Sequence, residues 1–128
     1  MKIFLTGATG YIGKRLLIQL LEEGHKVVCS VRDKKRLSLK LYQNHLDKIE
    51  IIENDFLDKN TLANIPKDID FAYYLVHSMS SNDGDFLEKE RISAQSFRKA
   101  LENTSVKQVV FLTGIINEEK LSKHLQSR

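Results

Sequence analysis

Thr6-Gly7-Ala8-Thr9-Gly10-Tyr11-Ile12-Gly13, TGATGYIG, follows the apolar run Lys2-Ile3-Phe4-Leu5 and precedes a run with helical spacing. A short apolar stretch entering a glycine cluster is the pattern of a buried parallel strand. Downstream, Ile12, Leu16, Leu17, Leu20 and Leu21 recur at helical intervals and Gly24 stops the run. Strand, glycine turn and helix therefore follow in order. A helix entered this way points its unsatisfied N–H groups and its positive dipole end at whatever lies beyond the strand. Gly7 suits a turn of positive φ, Gly10 leaves the backbone open to a close-lying anion, and Gly13 permits close packing of helix on strand. Two readings remain open for the segment, a phosphate cradle or a tight turn without a ligand. The spacing is G-x-x-G-x-x-G, weak as a bare pattern and stronger at this junction.

Outward from the loop the chain alternates. Lys26 to Val31 reads as a second strand, Lys34 to Leu46 as a second helix with Leu37, Leu41 and Leu46 on one side, and Ile49 to Ile52 as a third strand ending at Asn54-Asp55. Asp58 to Ile65 suggests a short helix closed by Pro66, Phe71 to Val76 a fourth strand, and His77 to Gly84 a polar loop. A longer helix is expected from Asp85 to Asn103, a fifth strand from Gln108 to Thr113, and a helical tail from Asn117 to Arg128. Alternating strands and helices, wound with right-handed crossovers, predict an α/β fold with a doubly wound parallel sheet in the order 3-2-1-4-5.

With 128 residues, 41% of them hydrophobic, the expectation is one compact domain, 1–128. The net charge of +3 suits an anionic ligand, but the cations are interspersed with carboxylates, so nucleic acid is not expected as a partner. The single cysteine, Cys29, sits in an apolar run and reads as a small buried thiol, which fits a reducing compartment. There is no basic, apolar leader pattern and no run of about eighteen apolar residues. The expected location is cytoplasmic, without a membrane partner.

TGATGYIG resembles the nucleotide-binding loop of the short-chain dehydrogenase/reductase superfamily, in particular its extended and atypical branches, which include NmrA-like proteins and nucleoside-sugar epimerases. The resemblance continues through Val31-Arg32, Asn54-Asp55-Phe56, Tyr73-Tyr74-Leu75-Val76-His77-Ser78-Met79 and Leu112-Thr113-Gly114. It implies a Rossmann fold binding NAD(P), with Gly7, Thr9, Gly10, Tyr11, Ile12 and Gly13 forming the loop. It also implies that the residue at Arg32 faces the adenosine ribose. An NAD site usually presents a carboxylate near here and an NADP site a cation, and the chain offers both in Arg32-Asp33. With Lys35 and Arg36 one turn further on, three cations could meet a 2′-phosphate, so NADP is expected and NAD is the alternative. By the same resemblance Asp55 and the backbone of Phe56 hold the adenine edge, though Asp55 also reads as a plain helix cap. Val76 and His77 would line the nicotinamide ribose.

The Tyr-x-x-x-Lys pair through which such enzymes usually move a proton is missing, since none of Tyr11, Tyr42, Tyr73 and Tyr74 has a Lys four residues later. His124 and Arg128 occupy that i, i+4 spacing after the fifth strand, where a His can act as acid or base and an Arg can clamp an anion. Thr113 matches the hydroxyl that meets the substrate carbonyl in the family. The resemblance implies hydride transfer with an unknown small-molecule substrate in a complete form, or alternatively a non-catalytic dinucleotide sensor or scaffold of the NmrA-like type. An epimerase is disfavoured by the absent pair. The last strands and substrate lobe of the family are missing from the sequence, so the fifth-strand edge is expected to be covered by the tail or to pair with another chain in self-association.

Overall fold

The computed structural model describes residues 1–75 and 86–112. Among the described residues five parallel strands form one sheet: β1 (Lys2–Thr6), β2 (Lys26–Val31), β3 (Ile49–Glu53), β4 (Phe71–Tyr74) and β5 (Gln108–Phe111). Their order is β3-β2-β1-β4-β5, as the alternation predicted. In register, Leu5 of β1 lies between Cys29 of β2 and Tyr73 of β4. β1 is thus central, which is why Ile3, Phe4, Leu5 and Thr6 are all buried.

Alternation along the strands divides the core in two. On one face Ile3, Leu5, Val27, Cys29 and Val31 pack with Leu17, Leu20 and Leu21 of α1 (Tyr11–Glu22). On the other, Phe4, Val28, Ile52, Ala72 and Tyr74 pack with Phe97 and Leu101 of α2 (Phe86–Glu102). Aromatic rings dominate this second face, with the Tyr74 and Phe97 centroids 4.6 Å apart and Phe111 stacked on Tyr74 at 4.9 Å. α1 ends where expected, with Gly24 at φ +89° and the Gly24 and His25 amides donating to the Leu21 and Leu20 carbonyls.

The second crossover departs from expectation. In place of a helix from Lys34 to Leu46, the chain makes two 3₁₀ segments, Lys34–Arg36 and Leu39–Lys48, the latter broken at Tyr42 and His45. Three cations at the start of an α-helix would face its positive end, which disfavours continuation. Packing decides the rest: Leu37 and Tyr42 are buried against α1 and β2, while Leu41 and Leu46 are exposed. A tyrosine, rather than the leucine stripe, anchors the segment. The short helix expected from Asp58 is also 3₁₀ (Lys59–Asn64), with Asp58 accepting from the Asn60 amide. β3 and β5 are the edge strands among the described residues, and Val109, Val110 and Phe111 of β5 are each about 40% exposed. Val76, the loop to Gly84 and the tail from Asn117 lie outside the described residues.

Candidate functional site

Strand polarity brings the carboxyl ends of β1, β2, β3 and β4 to one rim, and a cleft opens there of about 220 Å³. Gly7, Thr9 and Gly10 bound it on the β1 side; Val31, Arg32, Asn54, Asp55 and Phe56 bound it across β2 and β3. This is the crevice at the strand-order reversal, where open α/β sheets take their ligands.

The loop is fixed from below by Thr6, whose hydroxyl donates to the Tyr73 carbonyl and accepts from the Leu75 amide, both at 3.0 Å. That bridge seats Leu75 beneath Gly7. A Cβ on Gly7 would stand 3.0 Å from the Leu75 Cβ, and its φ of +74° is left-handed, so the turn itself requires glycine. Gly13 is required for a different reason: a Cβ there would lie 1.9 Å from the Gly7 carbonyl oxygen. Gly10 contrasts with both. Its φ of −79° is open to any residue, and a Cβ would meet only the Gly7 oxygen at 3.5 Å, an ordinary contact. Steric packing therefore does not require glycine at position 10, which lines the cleft and caps the following helix.

α1 starts immediately behind. Gly10 occupies its N-cap position without any side-chain cap, so the first-turn amides have no intrahelical acceptor. The Tyr11 and Ile12 side chains are exposed and do not border the cleft; the Arg15 guanidinium lies 3.6 Å over the Tyr11 ring. Thus the loop meets the cleft through Gly7, Thr9 and Gly10, while Gly13 lies behind it as a packing residue.

Across the cleft Arg32 and Asp33 separate. Arg32 is on the wall, whereas the Asp33 carboxylate caps the following 3₁₀ turn by accepting from the Lys35 amide at 3.0 Å. Arg36 is exposed and is not on the wall. Asp55 and Phe56 are brought to the cleft together. Asp55 accepts from the Leu57 amide at 2.9 Å, a local Asx turn, and Thr61 ties its backbone N–H and carbonyl. The helix-cap role belongs instead to Asp58.

Ser30, Asn54, Leu57, Leu75 and Ser93 also line the cleft and were not singled out from the sequence. Ser30 and Asn54 carried a faint signal, since each is a small polar residue near the end of an apolar strand. Ser93 came from α2, distant in sequence, and hydrogen-bonds Tyr74, whose phenol is pushed up by burial. Of the remaining candidates, Val76, His77, Thr113, His124 and Arg128 lie outside the described residues. Among the described residues no group of acidic, His or Cys side chains is placed to hold a metal, and no helix is long and apolar enough to cross a membrane.

A parallel sheet of this order with a cleft at its reversal defines a Rossmann-like α/β protein. The model of an NAD(P)H-binding family matches residues 7–127, and the chain belongs to that family. Among solved structures it is similar to Pen from Bacillus thuringiensis (TM-score 0.76, 22% identity, 88% of this chain and 37% of that one). Gre2 from Candida albicans in complex with NADPH gives a TM-score of 0.73 at 21% identity, over 88% of this chain and 37% of that one. A nucleoside-diphosphate-sugar epimerase from Staphylococcus aureus gives 0.69 at 18% identity, over 88% and 38%. The chain therefore spans little more than a third of the length of these proteins, and the likeness is one of fold. An uncharacterized protein of Schizosaccharomyces pombe, C2A9.02, is 54% identical over 35 residues, 27% of this chain and 12% of that one.

Proposed function

We propose that the chain is the NADP(H)-preferring portion, a single Rossmann domain, of an atypical short-chain reductase. The observation that carries this reading is Gly10: packing of the protein's own atoms does not require a glycine there, and the residue lines the cleft at the head of α1. The first-turn amides of α1 beside it suit a diphosphate, which needs both donors and the absence of a Cβ. Gly7, Thr9 and Gly10, with the backbone of Tyr11, Ile12 and Gly13, would hold that group. Arg32 on the wall, with Asp33 turned away into a cap, supports a 2′-phosphate over a bare 2′-hydroxyl. Asp55 and the Phe56 backbone would take the adenine, and Val76 and His77 the nicotinamide ribose.

When bound, the nicotinamide supplies or accepts hydride. For the chain's own residues, we assign Thr113 to hydrogen-bond a small carbonyl substrate, His124 to hold or give the proton at its oxygen, and Arg128 to orient an anionic substituent. A second reading is a dinucleotide sensor whose occupancy alters a protein partner. The exposed side chains of β5 support covering of that edge by the tail or by a second chain. Calorimetric titration of the full chain with NADPH and NADH tests the reading: NADPH should bind more tightly, and no heat with either at millimolar concentration refutes it. Turnover with quinones or small carbonyls separates the reductase from the sensor.

A further inference from the structure

Among the described residues, Asn54 Nδ2 is the only buried side-chain nitrogen or oxygen without a hydrogen-bond partner. Asn54 is 4% exposed and lines the cleft. Its other amide atom is occupied: Ser30, 5% exposed, donates its hydroxyl to Asn54 Oδ1, which aligns the carboxamide. Its backbone is held too, the Asn54 N–H donating to the Val31 carbonyl at 2.9 Å. A fixed buried donor with nothing to donate to is costly and uncommon in folded proteins. It is explained if the acceptor comes with a ligand.

The position selects which part of a ligand. Asn54 follows β3, two strand spacings, or roughly 10 Å, from the glycine loop that follows β1. A diphosphate seated at Gly10 does not reach across two strands, but the nucleoside attached to it does. Arg32, Asp55 and Phe56 border the same end of the cleft. A neutral NH₂ donor there matches the acceptors of adenosine, which are its ring nitrogens and ribose oxygens.

We propose that Asn54 is a specificity-determining residue that donates its amide to an acceptor on the adenosine moiety, with Ser30 as the positioning residue that orients it. The proposal rests on the dinucleotide reading above and deepens it. It is tested on the full chain by calorimetry with ADP and with 1-deaza-, 3-deaza-, 7-deaza-, 2′-deoxy- and 3′-deoxy-ADP, each lacking one acceptor, on wild type and Asn54→Ala. In wild type one analogue should bind about 3- to 10-fold more weakly than ADP, the worth of one neutral hydrogen bond. In Asn54→Ala that difference should vanish, and inorganic pyrophosphate should bind both proteins alike. Analogues that all match ADP in wild type, a difference that persists in the variant, or an equal loss for pyrophosphate and ADP would each overturn it. Should Asn54→Ala not fold, the wild-type analogue series alone decides. A wild-type chain that binds neither ADP nor NADPH refutes the dinucleotide reading itself, which separates the two failures.

Discussion

Gly10 and Gly13 have the same side chain and are three residues apart, yet replacing each by alanine should do different things. At Gly13 the new Cβ would stand 1.9 Å from the Gly7 carbonyl oxygen, 2.8 Å from its carbon and 3.0 Å from the Ala8 Cα. All three are backbone atoms, so α1 must move off the loop. Overpacking of this kind typically costs about 1–3 kcal/mol. For a chain of this size that lowers Tm by roughly 3–12 °C, at about 3–4 °C per kcal/mol. At Gly10 the Cβ has an ordinary 3.5 Å contact and an accessible φ. Replacing an N-cap glycine by alanine costs roughly 0.5–1 kcal/mol, and restricting the unfolded chain returns about 0.4–1 kcal/mol, so Tm should move by no more than about 2 °C. Gly10 lines the cleft, however, and under the proposed reading its methyl would intrude where a diphosphate approaches the helix. Gly10→Ala should therefore weaken NADPH binding by at least about tenfold, or 1.4 kcal/mol, in a protein as stable as wild type. Thermal denaturation with and without NADPH, beside calorimetry, reads both quantities. Undiminished NADPH affinity in Gly10→Ala would refute the cradle, and an unchanged Tm in Gly13→Ala would refute the close approach of helix to loop.

Arg32→Asp should weaken NADPH binding more than NADH binding, and equal losses would remove Arg32 from the 2′-phosphate site. Tyr42→Ala should destabilise the fold by about 3–5 kcal/mol in urea denaturation, because the ring is buried, whereas Leu41→Ala, exposed, should stay within about 0.5 kcal/mol. Comparable losses at both would restore the amphipathic helix expected from the sequence. Burial pushes the Cys29 thiol up to about 12. At pH 8 the native chain should then react with iodoacetamide far more slowly than the urea-unfolded one. Because the folded value lies above the unfolded one, this group's contribution to stability is complete below about pH 8.5 and declines as pH rises toward 12. A native thiol that alkylates at the unfolded rate would contradict its burial.

How much of this was legible beforehand depends on the range of the forces involved. The five strands and their order could be read from the chain, because alternating periodicities and the handedness of crossovers leave few windings. The roles of Gly7 and Gly13 were legible for a similar reason, being local constraints on a turn and on the helix that follows it. The segment after Asp33 was misread as a helix because leucine spacing is a local signal, whereas the burial of Tyr42 depends on a pocket made by α1 and β2. Asp55 shows both sides: its place at the cleft was visible in Asn54-Asp55-Phe56, but its Asx turn was not.

Sequence by itself determined that a strand, a glycine turn and a helix follow one another at the amino end, since those three signals are contiguous in the chain. Only the tertiary structure decided that Gly10 alone of the three glycines is not required by steric packing, that Arg32 lines the cleft while the Asp33 carboxylate caps a turn, and that Ser30 of β2 meets Asn54 at the end of the neighbouring β3. The cleft and the Ser30–Asn54 contact join residues remote in the chain. Parallel pairing creates such contacts only once the crossovers have closed.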